Sequence, residues 1–421
     1  MKNIDTLCVQ GGWNPKSGEP RITPIIQSTT YAYENGEDLA DLFDLKKDGY
    51  FYTRLANPTV SVLEEKVASL EGGIGGIGCS SGQSATLLSV LTVCNAGDNI
   101  LCSQAVYGGT FNLLGVSLKK LGIETKFFNP DDKSEDIAKL IDDKTRLIFI
   151  ETVANPTLII PDFEKFSKIC KENGLMLYVD NTLASPALCR PIEYGANIVV
   201  HSTSKYIDGH ACALGGMIID AGTFNFKGNN RFPEFNTPDD SYHGLVYGDL
   251  KAASLTKARA QMMRDYGAIM APQNAFLTNL GCETLDLRMK KHVENAKIIA
   301  EFLENNPKIE WVNYPSLKSN KYYDLANKYL PNGVTGMLSF GPKGGSEAAA
   351  KLMNNLKLIR IVTHVADVRS SIIHPRTTTH RQMNDEDLKK AGIPENLLRL
   401  SVGIENVDDI INDLKQALER I

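Results

Sequence analysis

The sequence predicts an α/β protein: a mainly parallel sheet covered on both faces by helices, followed by a smaller α+β domain. Two observations carry this prediction. Five short apolar runs, Asn99 to Cys102, Arg146 to Ile150, Leu175 to Val179, Asn197 to Val200 and Met217 to Ile219, alternate with stretches of helical periodicity. Strands that alternate with helices form crossovers, and crossovers place helices on both faces of a parallel sheet. Beyond about residue 250 the pattern turns helix-rich, and strand-like runs return only at Gly336 to Phe340 and Leu398 to Val402.

Residues 1 to 58 are rich in Gly, Pro, Asn and Tyr without a sustained helical period, and are expected to be an extended arm. The α/β domain is expected over 59–258. It opens with an amphipathic helix carrying Val60, Leu63, Val67 and Leu70, ended by Gly72 and Gly73. A second helix is expected over Ala85 to Val93. The C-terminal domain, 259–421, should contain a long helix-prone region, Lys251 to Leu280, that begins just before it, and an amphipathic stretch from Met289 to Leu303. Its final helix places Val407, Ile411, Leu414, Leu418 and Ile421 on one face.

Charge and composition exclude several classes. Forty-five Lys and Arg against 50 Asp and Glu give a net charge of −5 with no basic block, which argues against nucleic-acid binding. No window has the roughly 18 apolar residues that a membrane helix needs, and the amino terminus lacks a signal-peptide apolar run, so a cytoplasmic location is expected. Eight cysteines are scattered without a CxxC pair, and seven histidines lack metal-ligand spacing; reduced thiols and no metal are expected.

Gly73-Ile74-Gly75-Gly76-Ile77-Gly78 matches the G-x-G-x-x-G pattern, but it follows a helix, whereas a dinucleotide fingerprint must follow a strand and open a helix. A nicotinamide cofactor is therefore not expected.

Other residues carry chemistry. Ser80-Ser81-Gly82-Gln83-Ser84 stands at the start of a helix, where free N–H groups suit a phosphate; it also reads as a plain serine N-cap. Asp180 ends an apolar run, where an open α/β sheet gathers its ligands, though an aspartate capping a turn fits equally. The sharpest signal is Lys205, which follows a buried run and the hydroxyl-rich turn Ser202-Thr203-Ser204. A partly desolvated lysine near a phosphate is one whose pKa falls far enough to form a Schiff base. Arg399, in the apolar run Leu398 to Val402, needs an anion or an internal salt bridge.

Together with Tyr52-Thr53-Arg54, Asn57-Pro58-Thr59, Tyr107-Gly108-Gly109-Thr110, Glu151-Thr152, Asn155-Pro156 and Thr379-His380, these segments resemble the Cys/Met-metabolism family of fold-type-I pyridoxal-phosphate enzymes over essentially the whole chain. The resemblance implies a large domain with a mainly parallel seven-stranded sheet flanked by helices, and a smaller α+β C-terminal domain. It implies pyridoxal 5'-phosphate as cofactor, with Lys205 as Schiff-base lysine and general acid/base and Asp180 as partner of the ring nitrogen. Asn155 would bond the ring hydroxyl and Tyr107 stack on the ring, while Ser81, Gly82, Gln83, Ser202 and Ser204 hold the phosphate. Tyr52 and Arg54 would reach the phosphate of a neighbouring subunit in a homotetramer, a dimer of dimers with shared sites. Arg399 and Thr363 would bind the substrate.

Within the family, three features point to the branch that acts on O-acetylhomoserine with sulfide or methanethiol. They are the insertion from Thr223 to Asp249, the run Thr363-His364-Val365-Ala366-Asp367 before His374-Pro375, and the segments Arg264 to Gly267 and Glu283 to Leu285. Methionine γ-lyases usually carry a cysteine where Gly109 stands. A γ-lyase or cystathionine γ-synthase/lyase of the same family is the alternative reaction, and a catalytically silent protein retaining the fold is a third reading.

Overall fold

The computed structural model describes residues 2–378, 381 and 392–421; the Thr379-His380 segment lies outside them. Seven strands form the larger sheet: β1 (Gly75–Cys79), β2 (Asn99–Ser103), β3 (Glu124–Phe128), β4 (Thr145–Glu151), β5 (Met176–Asp180), β6 (Ile198–His201) and β7 (Gly216–Asp220). Their order is β1-β7-β6-β5-β4-β2-β3. Only β7 runs antiparallel to its neighbours, so the sheet is mainly parallel, as expected.

The apolar runs explain this sheet. All seven residues of β4 are buried, as a strand covered on both faces requires. Alternate side chains enter opposite cores: Ile148, Ile150, Leu177 and Val179 join one cluster, while Leu147, Phe149, Met176 and Tyr178 join the other. Two strands escape the sequence pattern. β1 is mostly glycine, and edge strand β3 carries Glu124 and Lys126. The G-x-G-x-x-G glycines lie in and just before β1, ahead of the following helix rather than in the turn that opens it.

A second sheet holds β8 (Ile309–Asn313), β9 (Met337–Pro342), β10 (Arg360–Ile361), β11 (Ser371–Ile373) and β12 (Leu398–Ser401), in the order β10-β11-β12-β9-β8. Its own core includes Leu338, Leu400, Ile410 and Leu414, the last two from the C-terminal helix Val407–Leu418.

The first 58 residues are less extended than expected. They contain helix α1 (Ile4–Gln10), which packs on later helices and buries Cys8, and helix α2 (Gly36–Phe43), capped by the Asn35 side chain. Helix α3 (Pro58–Glu71) starts at Asn57, whose side chain accepts from the N–H groups of Thr59 and Val60, and ends at Gly72 in the left-handed conformation. The helix-prone region from Lys251 is interrupted at Gly267 and resumes with Pro272–Glu283, because Gly267 is left-handed and Pro272 can only open a helix. The Thr223–Asp249 insertion folds as three 3-10 turns around an aromatic cluster in which Phe226 stacks on Phe235, ring centroids 3.9 Å apart. All eight cysteines are free thiols, seven of them buried. Among the described residues no helix is long and apolar enough to cross a membrane, and no cluster of ligands suits a metal ion.

Candidate active site

A cavity opens at the carboxyl ends of β4, β5 and β6. Parallel strands end together there, and the loops that leave them supply the side chains. Of the residues singled out above, Ser81, Gly82, Gln83, Tyr107, Asn155, Asp180, Ser202, Lys205, Thr363 and Arg399 line it.

Its floor begins with Asp180, the last residue of β5. One carboxylate oxygen accepts from the Thr182 N–H at 2.9 Å, and the Thr182 hydroxyl accepts from the Ser202 N–H at 2.8 Å, tying the ends of β5 and β6 together. Burial pushes the Asp180 carboxyl above its ordinary value. Beside it in register, Glu151 ends β4; burial, then the Asp180 charge, push its carboxyl well above the ordinary range. Glu151 accepts the Tyr107 N–H at 2.6 Å, which anchors a half-exposed tyrosine ring over the cavity.

At the other end, Ser81 caps helix α4 (Gly82–Val93) in a capping box with Ser84. The serine cap is therefore present, and it coexists with a cradle: N–H groups of Gly82 and Gln83, in the first helical turn, have no carbonyl one turn back to receive them. A Cβ on Gly82 would run into the Ser202 side chain and backbone, so only glycine lets the two loops approach this closely. Ser204 differs from its neighbours in the turn. Its hydroxyl bonds the Gly215 backbone, accepting at 2.9 Å and donating at 3.2 Å, and it does not line the cavity.

Lys205 lies between these ends. Burial, reinforced by the Arg399 guanidinium, lowers its pKa to about 8. Its Nζ is 3.1 Å from Nδ1 of His364, a contact the sequence reading did not anticipate. Arg399, in β12, donates to the Thr363 carbonyl at 2.8 Å and to the Asn155 side chain at 3.3 Å, while its Nε is buried without a protein partner. Burial lowers its pKa to about 10. No carboxylate pairs with it among the described ion pairs, so the internal salt-bridge alternative does not hold there.

Tyr52 and Arg54 stand elsewhere within this chain. They line a second cavity with Gln27, Ser28, Thr29, Thr53, Ile269, Ala271 and Pro272, and the Arg54 guanidinium lies 5.1 Å from the centre of the Tyr52 ring and donates to the Arg264 carbonyl. Sequence reasoning assigned no role to Glu151, Thr182 or His364. Glu151 lies in a named motif and Thr182 two residues after Asp180, and His364 stands in the run Thr363 to Asp367, but nothing in that run says that its ring meets Lys205.

An amine of lowered pKa, a buried carboxyl at one end and a helix N-terminus with serine hydroxyls at the other define a site for a phosphorylated aromatic aldehyde. The chain belongs to the Cys/Met metabolism PLP-dependent enzyme family, whose model matches residues 5–419. It is 43% identical to the homocysteine synthase of Schizosaccharomyces pombe, over 99% of this chain and 98% of that one. It is also 43% identical to the O-acetyl-L-homoserine sulfhydrylase of Leptospira meyeri, over 99% and 97% respectively. Among solved structures, a putative O-acetylhomoserine (thiol)-lyase of Campylobacter jejuni superposes with a TM-score of 0.96 at 42% identity, covering 99% of this chain and all of that one; it carries N'-pyridoxyl-lysine-5'-monophosphate at its position 205. The cofactor is thus pyridoxal phosphate, and the fold is that of this enzyme family.

Proposed function

We propose that this chain catalyses γ-replacement, converting O-acetylhomoserine and sulfide to homocysteine and acetate, or methanethiol in place of sulfide to methionine. The observation that carries the reading is Arg399 in the same cavity as Lys205, with a buried Nε left without a partner: a guanidinium held beside an amine suits the α-carboxylate of an amino acid. The names of the full-length relatives support the same reaction class.

Pyridoxal phosphate, bound through Lys205, supplies the electron sink for carbanion chemistry at the substrate Cα. Asp180 would keep the ring nitrogen protonated, and its burial strengthens that charge interaction. Asn155 would hold the ring hydroxyl and Tyr107 cover one face. Ser81, Gly82, Gln83 and Ser202 are assigned to the phosphate, while Ser204, which bonds the Gly215 backbone and does not line the cavity, braces the turn. The Lys205 amine would take the Cα proton and return it after the γ-substituent has been exchanged, with acetate leaving and the thiol adding. Arg399 and Thr363 would hold the carboxylate and so fix how the substrate Cα is presented to Lys205.

Tyr52 and Arg54, which line a different cavity from Lys205 within one chain, fit the phosphate of a neighbouring subunit, and we assign the enzyme as a cytoplasmic homotetramer with residues 1–58 reaching across, 59–258 binding the cofactor and 259–421 completing the substrate site. The test is purified cofactor-loaded enzyme with O-acetylhomoserine and sulfide. Homocysteine and acetate in equal amounts are expected; failure to form homocysteine overturns the proposal, and 2-oxobutyrate from methionine alone would indicate a γ-lyase instead.

A further inference from the structure

We propose that His364 is a positioning residue for Lys205, its Nδ1 serving as hydrogen-bond partner to the lysine in both of its protonation states. The inference rests on Lys205 being the proton carrier of the proposed reaction.

The geometry begins with the 3.1 Å contact between Lys205 Nζ and His364 Nδ1. The two residues come from different sheets: Lys205 follows β6, and His364 lies in the connection between β10 and β11. That connection is braced against its neighbours. The Thr363 carbonyl accepts from Arg399, the His364 carbonyl accepts from the Ser371 hydroxyl at 3.1 Å, and the Ala366 N–H donates to the Ser401 hydroxyl at 2.8 Å. Val365 and Ala366 are buried. The imidazole is therefore held on a fixed backbone rather than on a loose loop.

The other ring nitrogen gives the contact its versatility. His364 Nε2 is buried and has no protein partner. A histidine tautomer is ordinarily fixed by the bond its second nitrogen makes; here no such bond fixes it. With the hydrogen on Nε2, the Nδ1 lone pair accepts from a Lys205 ammonium. With the hydrogen on Nδ1, the ring donates to a neutral Lys205 amine. One side chain can thus orient the lysine before and after it takes up a proton.

An acceptor matters here because of the surrounding charges. Arg399 on β12 faces both Lys205 and His364, while Asp208, in the turn after Lys205, and Asp367, three residues after His364, offer negative charge to the histidine. Asp367 is already paired with Arg369, and Asp208 accepts from the N–H groups of His210 and Cys212. A protonated Lys205 would stand beside a guanidinium with no carboxylate bonded to it, and the imidazole is the acceptor within reach. Burial, then the lysine charge, lower the pKa of His364, which favours the neutral ring that can accept.

The test compares His364→Ala and His364→Gln with the native enzyme, and Lys205→Ala as control. First, the rate at which the apoprotein captures pyridoxal phosphate is followed by visible absorbance across pH. Loss of the acceptor in His364→Ala should move the midpoint down by about one pH unit, while His364→Gln, whose amide oxygen can accept, should stay closer to native. Second, steady-state kinetics of the loaded enzymes should show kcat reduced ~10- to 100-fold in His364→Ala with KM changed less than about threefold. An unchanged capture midpoint together with native kcat in a His364→Ala protein with native circular dichroism overturns the inference. If His364→Ala does not fold, His364→Gln and His364→Leu decide: kcat kept near native in His364→Gln, whose amide can bond the lysine, but lowered at least ~10-fold in His364→Leu, which cannot, supports positioning, and equal kcat in the two variants overturns it. If Lys205→Ala still forms the lysine-dependent absorbance band, it is the parent reading of Lys205 that fails.

Discussion

Glu71 Oε1 lies 2.6 Å from His201 Nε2, and both side chains are wholly shielded from solvent. The same oxygen accepts from the Asn181 amide at 2.7 Å, so the end of helix α3 grips the residue after Asp180 and the last residue of β6. Replacing Glu71 by Ala would strand the imidazole and the amide. The expected cost is about 3 kcal/mol of stability, read as a lowered guanidinium midpoint, with Glu71→Gln costing less because its carbonyl still accepts. Equal stability of all three proteins would remove the pair from the list of structural supports.

Lys205 should reveal its lowered pKa in the apoprotein. Only the neutral amine attacks an aldehyde, so with a value of about 8 the capture rate should rise ~10-fold between pH 7 and pH 9 and then level off. A rate still climbing tenfold per unit above pH 9 would mean an ordinary solvated lysine.

Arg399→Lys keeps the charge and loses the planar fork. We expect kcat/KM for the amino-acid substrate to fall about 100-fold, equivalent to ~2.7 kcal/mol, with the visible spectrum of the bound cofactor unchanged. A spectrum altered as strongly as the kinetics would show that Arg399 serves the cofactor rather than the substrate.

Gly109→Cys tests a position that bears on reaction choice. A Cβ there would collide with the Gln83 amide and the Tyr107 ring. The variant should lose about 1–3 kcal/mol of stability and gain no 2-oxobutyrate release from methionine. Appearance of that activity at native stability would show that this one residue separates the two reactions.

Tyr52 and Arg54 can be tested by complementation. Arg54→Ala and Lys205→Ala proteins should each be inactive, whereas co-expressed chains should recover roughly a quarter of native activity, because half the mixed dimers' sites are intact and half the dimers are mixed. No recovery would confine each site to one chain.

Much of this architecture could be read from local chemistry. Lys205 and Asp180 announce themselves because each follows a buried run, and strand ends are where open sheets place ligands. Gly82 does so because a serine-rich helix start is chemically distinctive. β1 and β3 were illegible for opposite reasons: the first has too few side chains to show alternation, and the second carries charges tolerated at an edge. Helices α1 and α2 are short, and their order comes from packing on distant helices and from a single asparagine cap, which no periodicity announces. His364 was named in the sequence but not placed, since its partner lies 159 residues away and only tertiary structure joins them.

The cavity is assembled from both sheets, Asp180 and Lys205 coming from one and Arg399 from the other. Recognition of the cofactor and recognition of the amino acid are consequently separable inheritances. A chain damaged only in its C-terminal sheet could still colour with vitamin B6 while being blind to its substrate, so yellow protein is no guarantee of a working enzyme.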